Sequence, residues 1–151
     1  PADGYTLSLG PWNSHVVAGA VYALQFDLLK DLAPIALLAN NPSVIVTKTG
    51  VPAKDLKQLV AWLKANPDKA SAATSGIGAA THIGAIQFQN MTGTRFALVT
   101  YRGAAPAMQD IVAGQVDLMF DQLANSLPQI RAGQIRAYAI MSGTRATDMG
   151  T

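Results

Sequence analysis

Residues 71–82 read Ser-Ala-Ala-Thr-Ser-Gly-Ile-Gly-Ala-Ala-Thr-His, and this stretch decides the fold class. Its first four residues suit a short buried strand, Ser75–Gly78 forms a turn, and a helix is predicted from about Ala80 to Met91. The same order of strand, short loop and helix follows twice more. Such repetition predicts an α/β protein with a mainly parallel sheet and helices on both of its faces.

The two later units complete the series toward the end of the chain. We predict strands over Phe96–Tyr101 and Val116–Phe120, each followed by a helix, over about Ala105–Ala113 and Leu123–Arg131. Ile135–Ile140 is predicted as a closing strand. Short connections between these elements favour one layered domain.

Upstream of this region the pattern is less regular. Tyr5–Leu9 is predicted as a strand and Val16–Leu24 as a small apolar helix. Ile35–Thr47 is predicted as strand material broken by the turn signal Asn40-Asn41-Pro42. Ala53–Ala65 carries apolar residues at helical spacing with lysines between them, which indicates an amphipathic helix.

The composition excludes several classes of protein. With 151 residues, 50% hydrophobic, the chain can form a real core, so disorder is not expected. It has no cysteine, which excludes disulfides and thiolate metal sites. A net charge of +2 is too small to indicate a nucleic-acid partner. The longest uncharged apolar runs, Val16–Leu24 and Leu32–Ala39, are shorter than the roughly 20 residues that span a bilayer.

A binding site is expected where the loops follow the strands. In open α/β sheets, ligands bind beyond the carboxyl ends of the strands. Gly76 and Gly78 allow a close backbone approach, and the next helix offers free amides and the positive end of its dipole, which together favour an anion. Thr74 and Ser75 add hydroxyl donors. A purely structural tight turn would explain the glycines as well. The loops concerned are 74–81, 101–106 and 120–125.

Other polar residues near these loops each have two interpretations. Arg102 either contacts an anionic ligand or faces water, and Asp121 either binds a polar group of a ligand or caps the next helix. His82 is predicted to be a locally bonded residue at a helix start. His15 and His82 have no third ligand type at metal spacing, so neither a metal site nor a cofactor is predicted.

The residues give little support to catalysis. Ser75, His82 and Asp121 could form a triad on paper, but Ser75 does not lie in a Gly-x-Ser-x-Gly turn. Asp117 and Asp121 share a strand face, but Asp117 is expected near the strand start. A dinucleotide fingerprint fits badly, because Thr81 occupies its third glycine position. We therefore predict no enzyme.

Seven pieces of sequence occur in an order and at spacings that match one family. On these pieces the chain resembles the Bug family, the extracytoplasmic solute receptors of tripartite tricarboxylate transporters. No single piece is diagnostic, but seven in the right order are strong evidence. The pieces are Ala2–Leu7, Phe26–Asp27 with Lys30–Ile35, Pro42–Val46 with Val51–Ala53, Ser75–Gly78 through His82, Tyr101–Ala107, Gly114–Asp121 and Leu127–Gly133.

The resemblance implies a type II periplasmic-binding-protein-like fold, in which two α/β domains joined by crossing strands close on a small carboxylate. It assigns residues 1–41 to a remnant of the first domain with the hinge crossing, 42–141 to a nearly complete second domain, and 142–151 to the return. The chain begins Pro1-Ala2-Asp3-Gly4, without an initiating Met or a signal-peptide pattern. We expect a piece of a longer protein whose targeting segment has been removed.

The resemblance also implies a function. It predicts a periplasmic receptor that captures a small organic carboxylate and presents it to membrane transporter subunits, with no enzyme activity, no cofactor and no nucleic-acid partner. A homodimer of the fragment is possible, since an exposed sheet edge invites pairing. The residues that we predict to bind the carboxylate are Asn13, Ser14, Thr74, Ser75, Gly76, Gly78, Ala79, Ala80, Arg102, Gly103 and Asp121.

Two positions depart from the family pattern. The family usually has a polar residue at position 77 and Ser or Thr at position 79, whereas this chain has Ile77 and Ala79. The ligand could therefore be less polar than a tricarboxylate. Two alternatives from other classes stay open: an effector domain of a transcription regulator, which shares this fold type, and an acyl hydrolase that uses Ser75.

Overall fold

The computed structural model describes residues 4–10, 13–38 and 41–142, without the side chains of Asn13, Ser14 and Val21. Contacts divide the chain into two compact units, residues 1–38 and 39–151. The predicted domain bounds, at 41 and 141, stay a prediction. Asn40 of the predicted hinge and residues 143–151 of the predicted return lie outside the described part.

Unit 1, residues 1–38, contains little regular structure. A π-helical turn over Asn13–Val17 leads into the four-residue helix α1, Ala18–Val21. The predicted helix over Val16–Leu24 is therefore only partly confirmed, and the predicted strand over Tyr5–Leu9 is wrong. A strand needs hydrogen bonds from a neighbour, and the described part of unit 1 contains no other strand to pair with.

Unit 2, residues 39–151, contains every other described element. Most predicted bounds are confirmed to within one or two residues. The predicted strand over Ile35–Thr47 is wrong in its first part, since residues 35–38 have no regular structure and the strand begins at Ser43. The elements are β1 Ser43–Lys48, α2 Leu56–Ala65, β2 Ser71–Thr74, α3 Ala80–Thr92, β3 Ala97–Thr100, α4 Ala104–Val112, β4 Leu118–Gln122, α5 Leu123–Arg131 and β5 Ile135–Met141.

The five strands form one mixed sheet in the order β3-β2-β4-β1-β5. β2 pairs in parallel with both β3 and β4, whereas β1 is antiparallel to β4 and to β5. Four strands therefore run one way and β1 runs against them. The predicted α/β class is confirmed, and the carboxyl ends of β2, β3 and β4 lie at one edge of the sheet.

Two apolar clusters cover the two faces of this sheet. Residues alternate between the clusters along each central strand: Ile45 faces one and Val46 the other, and Leu118 and Met119 divide in the same way. Leu59 and Leu63 of α2 and Phe88 of α3 complete the first cluster, while Met108 and Ile111 of α4 complete the second. The alternation places helices on both faces, as a buried strand requires.

A polar network fixes the start of β4 at the opposite edge. The Asp117 carboxylate pairs with Lys48 Nζ at 2.8 Å and accepts from the Ser71 amide at 2.8 Å and the Ser71 hydroxyl at 3.1 Å. Lys48 also donates to the Gly114 carbonyl at 3.2 Å. Asp117 thus lies just before the strand, as predicted, and ties β4 to β1 and β2. It is far from the predicted binding edge and belongs to the scaffold.

Candidate functional site

The carboxyl edge of β2, β3 and β4 carries two joined loops. The loop after β2 covers residues 75–79, and the loop after β3 covers 101–103. The Tyr101 amide donates to the Thr74 carbonyl at 2.8 Å, and the Gly103 amide donates to the Ser75 carbonyl at 3.2 Å. These backbone bonds hold the two loops side by side, so the structure brings Ser75 and Gly103 together as one patch.

The loop after β2 presents backbone donors of two kinds. Three amides are used within the loop: Ser75 N donates to Thr81 Oγ1, Gly78 N to His82 Nδ1 and Ala79 N to the Gly76 carbonyl. Four others have no hydrogen-bond partner in the described part of the chain. They are the amides of Gly76, Ile77, Ala80 and Thr81.

The position of these four amides gives them a common electrostatic character. Ala80 and Thr81 open α3, a helix of 13 residues whose amino end carries partial positive charge. Gly76 has φ 149° and Gly78 has φ 76°, conformations that glycine adopts without strain. No side chain caps the helix at Ala79. The free donors and the helix dipole together favour an anion at this turn.

Ser75 is held by a residue that sequence reasoning did not select. Thr81, only 6% exposed, accepts from the Ser75 amide at 2.8 Å, and its hydroxyl lies 2.9 Å from Ser75 Oγ. In the sequence, Thr81 stands out only as a misfit in a dinucleotide fingerprint. A hydroxyl six residues after Ser75, in the first turn of the helix, was the signal that could have identified it.

Arg102 and Gly103 lie beside this turn. Arg102 is exposed and makes no ion pair or hydrogen bond with the described residues. Gly103 has φ 117° at the residue before α4, and a side chain there would meet no atom within 4 Å. The patch is thus open to solvent. The long cationic side chain of Arg102 lies at its border, and neither loop contains an acidic residue.

Thr74 and Asp121 are buried rather than open. Thr74 has no exposed surface, and its hydroxyl lies 3.4 Å from the hydroxyl of Thr100. Asp121 is 1% exposed, and its carboxylate accepts from the Ser126 hydroxyl at 2.8 Å and the Asn125 amide at 3.4 Å. Both side chains are used inside unit 2, so Asp121 joins β4 to α5.

The remaining predicted binding residues divide between the two units. Ala79 and Ala80 lie at the turn just described, where only the Ala80 amide is without a partner in the described residues. Asn13 and Ser14 belong to the π-helical turn of unit 1, and their side chains lie outside the described part. Ile77 lies at the tip of the turn, 72% exposed, as an apolar residue among free amides.

The three residues that could form a triad on paper each bond to other partners. His82 Nδ1 accepts from the Gly78 amide at 3.3 Å, which confirms a locally bonded histidine at a helix start. Among the described residues, Ser75, His82 and Asp121 share no hydrogen bond, and no three His, Asp or Glu side chains are grouped to hold a metal ion. The described helices include none with the length and apolar character needed to cross a membrane.

Tyr101 packs beside the loops and bonds to α4. Its hydroxyl donates to Asp110 Oδ2 at 2.6 Å, and this bond, together with burial and the carboxylate charge, raises the pKa of Tyr101 to about 12. Because the folded pKa lies above the ordinary value of about 10, the unfolded chain loses this proton first as pH rises. The stability contributed by Tyr101 is therefore complete below about pH 10 and is lost by about pH 12.

We expect Tyr101→Phe to reduce the free energy of unfolding by about 1 kcal/mol at neutral pH. The difference from the wild type should shrink between about pH 10 and 12, as the wild-type hydroxyl ionises. Urea unfolding of both proteins across this range measures it. A difference that stays constant to the top of the range would contradict the raised pKa.

Comparisons with known proteins point to one family. The family model described as "Tripartite tricarboxylate transporter family receptor" matches residues 1–151. Protein BugT of Bordetella pertussis is 32% identical over 148 residues, which cover 97% of this chain and 45% of BugT. The Bug-family resemblance of the sequence is thus confirmed.

Solved structures agree with this result. A structure described as a periplasmic transporter is 39% identical with a TM-score of 0.83, covering 89% of this chain and 46% of that one. MatC of Rhodopseudomonas palustris, solved with bound malate, is 30% identical with a TM-score of 0.78, covering 88% and 46%. The chain therefore spans less than half the length of each of these relatives.

Proposed function

The chain belongs to the tripartite tricarboxylate transporter family of receptors, and on that premise we propose that it contributes the carboxylate-binding loop of a periplasmic receptor. The receptor captures a small organic carboxylate and presents it to the subunits of a membrane transporter. It is a binding protein rather than an enzyme, and it needs no cofactor. Pairing of two copies stays a prediction.

One observation carries the proposal: four amides at the turn before α3 have no hydrogen-bond partner in the described part of the chain. A carboxylate oxygen accepts such donors through charge-assisted hydrogen bonds, each stronger than a bond between neutral groups. The dipole of α3 adds to the attraction. Arg102, exposed and without an ion pair in the described residues, is close in sequence to Gly103, which is bonded to the same loop.

The binding group is smaller than the sequence alone suggested. We propose that the backbone of Gly76, Ile77, Ala80 and Thr81 and the hydroxyl of Ser75 hold the carboxylate, with Arg102 near it. Gly78, Ala79 and Gly103 shape the turn through internal bonds. Thr74 and Asp121 support the sheet beneath. Asn13 and Ser14 stay sequence-based candidates.

The chemistry of the turn also favours one kind of carboxylate. Ile77 places an exposed apolar side chain next to the free amides, and Ala79 offers no hydroxyl. A polyhydroxylated or tricarboxylic ligand would leave polar groups facing this side chain without partners, which costs binding energy. We therefore propose a dicarboxylate whose carbon chain between the acids is mostly apolar.

Thermal unfolding with a panel of ligands tests this proposal on the full-length protein. Succinate, malate, adipate and citrate should be compared at millimolar concentration, with adipamide, the neutral diamide of adipate, as the matched control. A ligand present at about 100 times its Kd stabilises by about 2.7 kcal/mol, which raises Tm by several degrees.

We expect adipate to raise Tm more than citrate does, and adipamide to leave Tm unchanged. Isothermal calorimetry then gives the Kd of each carboxylate that raises Tm. If no carboxylate changes Tm at millimolar concentration, carboxylate binding is wrong. If citrate binds more tightly than adipate, the preference for an apolar chain is wrong.

A further inference from the structure

We infer that Thr81 is a positioning residue for binding: its buried hydroxyl donates to Ser75 Oγ and so directs the Ser75 hydroxyl proton outward, toward the carboxylate. The inference rests on the proposed function, because it needs a carboxylate at the turn. It adds a side chain that acts on the ligand only through Ser75, and it adds a direction for one hydrogen bond. That direction selects for acceptor groups, and an ionised carboxylate, which only accepts, fits this requirement.

The geometry around Thr81 Oγ1 is the starting point. This atom accepts the Ser75 backbone N–H at 2.8 Å and lies 2.9 Å from Ser75 Oγ. Thr81 is 6% exposed, whereas Ser75 is half-buried. Two hydrogen bonds therefore join one residue of the loop to one residue of the first helical turn.

Counting protons assigns the direction of the second bond. A threonine hydroxyl has one proton to donate and two lone pairs to accept with. The Ser75 amide can only donate, so it occupies one lone pair of Thr81 Oγ1. Within the described residues, Ser75 Oγ is the one acceptor in hydrogen-bond range of the Thr81 hydroxyl.

Burial then decides between the two possible donors. If Ser75 donated to Thr81, the proton of a nearly buried hydroxyl would be left without an acceptor, at a cost of about 1–3 kcal/mol. If Thr81 donates to Ser75, the proton without an internal acceptor belongs to Ser75, a residue that is only half-buried. The second arrangement satisfies every buried group.

The consequence for binding is preorganisation. The Ser75 carbonyl is held by the Gly103 amide at 3.2 Å, and its amide and hydroxyl are both held by Thr81. The Ser75 side chain is thus fixed before the carboxylate arrives, which reduces the entropy cost of binding. A fixed donor beside four free amides matches the acceptor-only chemistry of a carboxylate.

Four variants of the full-length protein test the inference, with malate and adipate as the probes. Ser75→Ala and Thr81→Val should each weaken binding of the better probe about tenfold. Ser75→Ala removes the donor hydroxyl itself, and Thr81→Val removes the hydrogen bond that directs it. The double variant should bind no more weakly than Ser75→Ala alone, since the two residues act through one bond. Thr81→Ser keeps the hydroxyl and should bind within about threefold of the wild type.

The outcomes separate the two hypotheses. If the wild type binds neither probe nor any other carboxylate of the panel, the proposed function and this inference both fail. If the wild type binds and Thr81→Val binds equally well, or if the losses of the two single variants add, only the inference fails. Unfolding without ligand shows whether Thr81→Val is folded.

A direct observation keeps the inference testable even if Thr81→Val does not fold. Neutron diffraction of the deuterated wild type locates hydroxyl deuterium atoms. We expect the Thr81 deuterium on the line to Ser75 Oγ and the Ser75 deuterium directed away from Thr81. A Ser75 deuterium that points at Thr81 Oγ1 would overturn the inference.

Discussion

Ala79→Asp is expected to abolish carboxylate binding while making the protein more stable. Ala79 precedes α3 with φ −66° and ψ 158°, the conformation of a helix N-cap, and no side chain caps the helix there. The carboxylate of an aspartate would accept a hydrogen bond from the Thr81 amide and would complement the dipole of α3. Such a cap stabilises a helix by about 1 kcal/mol. The aspartate carboxylate would then occupy the Thr81 amide, which is one of the donors proposed to bind the ligand.

The aspartate would also repel the ligand. Two negative charges about 5 Å apart near a protein surface repel each other by about 3 kcal/mol, which lowers affinity about a hundredfold or more. Calorimetry with malate and adipate, beside thermal unfolding without ligand, measures both effects. A gain in stability with a loss of carboxylate binding is the result expected of an added negative charge at an anion site, and the neutral control below separates the charge from the helix cap.

Ala79→Asn is the matched control. Asparagine is nearly isosteric with aspartate and caps helices about as well, but it carries no charge. It should raise stability similarly and weaken binding much less, only through competition for the amide. If Ala79→Asp binds carboxylates as tightly as the wild type, the turn before α3 is not the site.

Phe120→Ala is expected to cause the largest loss of stability in unit 2. Phe120, 1% exposed, lies in β4 with its ring 5.3 Å from that of Phe88 and 6.3 Å from that of Phe96. Removing a fully buried aromatic ring typically costs about 3–5 kcal/mol, because the cavity collapses only in part. That is a large share of the stability of a small domain. Urea unfolding measures it.

Phe120→Leu is the control for this change. Leucine keeps most of the apolar volume but loses the aromatic contacts, so a smaller loss, of about 1–2 kcal/mol, is expected. A loss below about 1 kcal/mol for Phe120→Ala would mean that the three rings are not the centre of the core.

The helices and strands of unit 2 were largely predictable from the sequence. The bounds of β2 and α5 are as predicted: Ser75-Gly76 follows β2, and Gly133 follows the C-cap residue of α5. The prediction failed for Tyr5–Leu9, where apolar residues alternate, and for the first part of Ile35–Thr47, which is a continuous apolar run. The described part of unit 1 contains no strand with which either could pair. Strand formation depends on a partner, which a local pattern does not contain.

The candidate site was predictable in location but not in detail. The glycines after β2 indicated a turn before a helix, and the turn lies at the carboxyl edge of the sheet. Which amides are free was not predictable, because the bonds of Gly78 to His82 and of Ser75 to Thr81 depend on how the helix sits on the loop. The buried bond of Asp121 to Ser126 was likewise not predictable, because it depends on how α5 packs against β4.

The sequence by itself determined the family, the α/β class and the position of the turn before α3 at which we propose an anion site, because these depend on local patterns and on glycines at fixed spacing. The tertiary structure alone decided that β1 runs against its neighbours, that Gly103 is bonded to Ser75, and that Thr81 is buried under the turn. Each of these depends on contacts between residues distant along the chain or on the burial of a particular side chain. Such burial and pairing are properties of the packed molecule, so no local pattern encodes them.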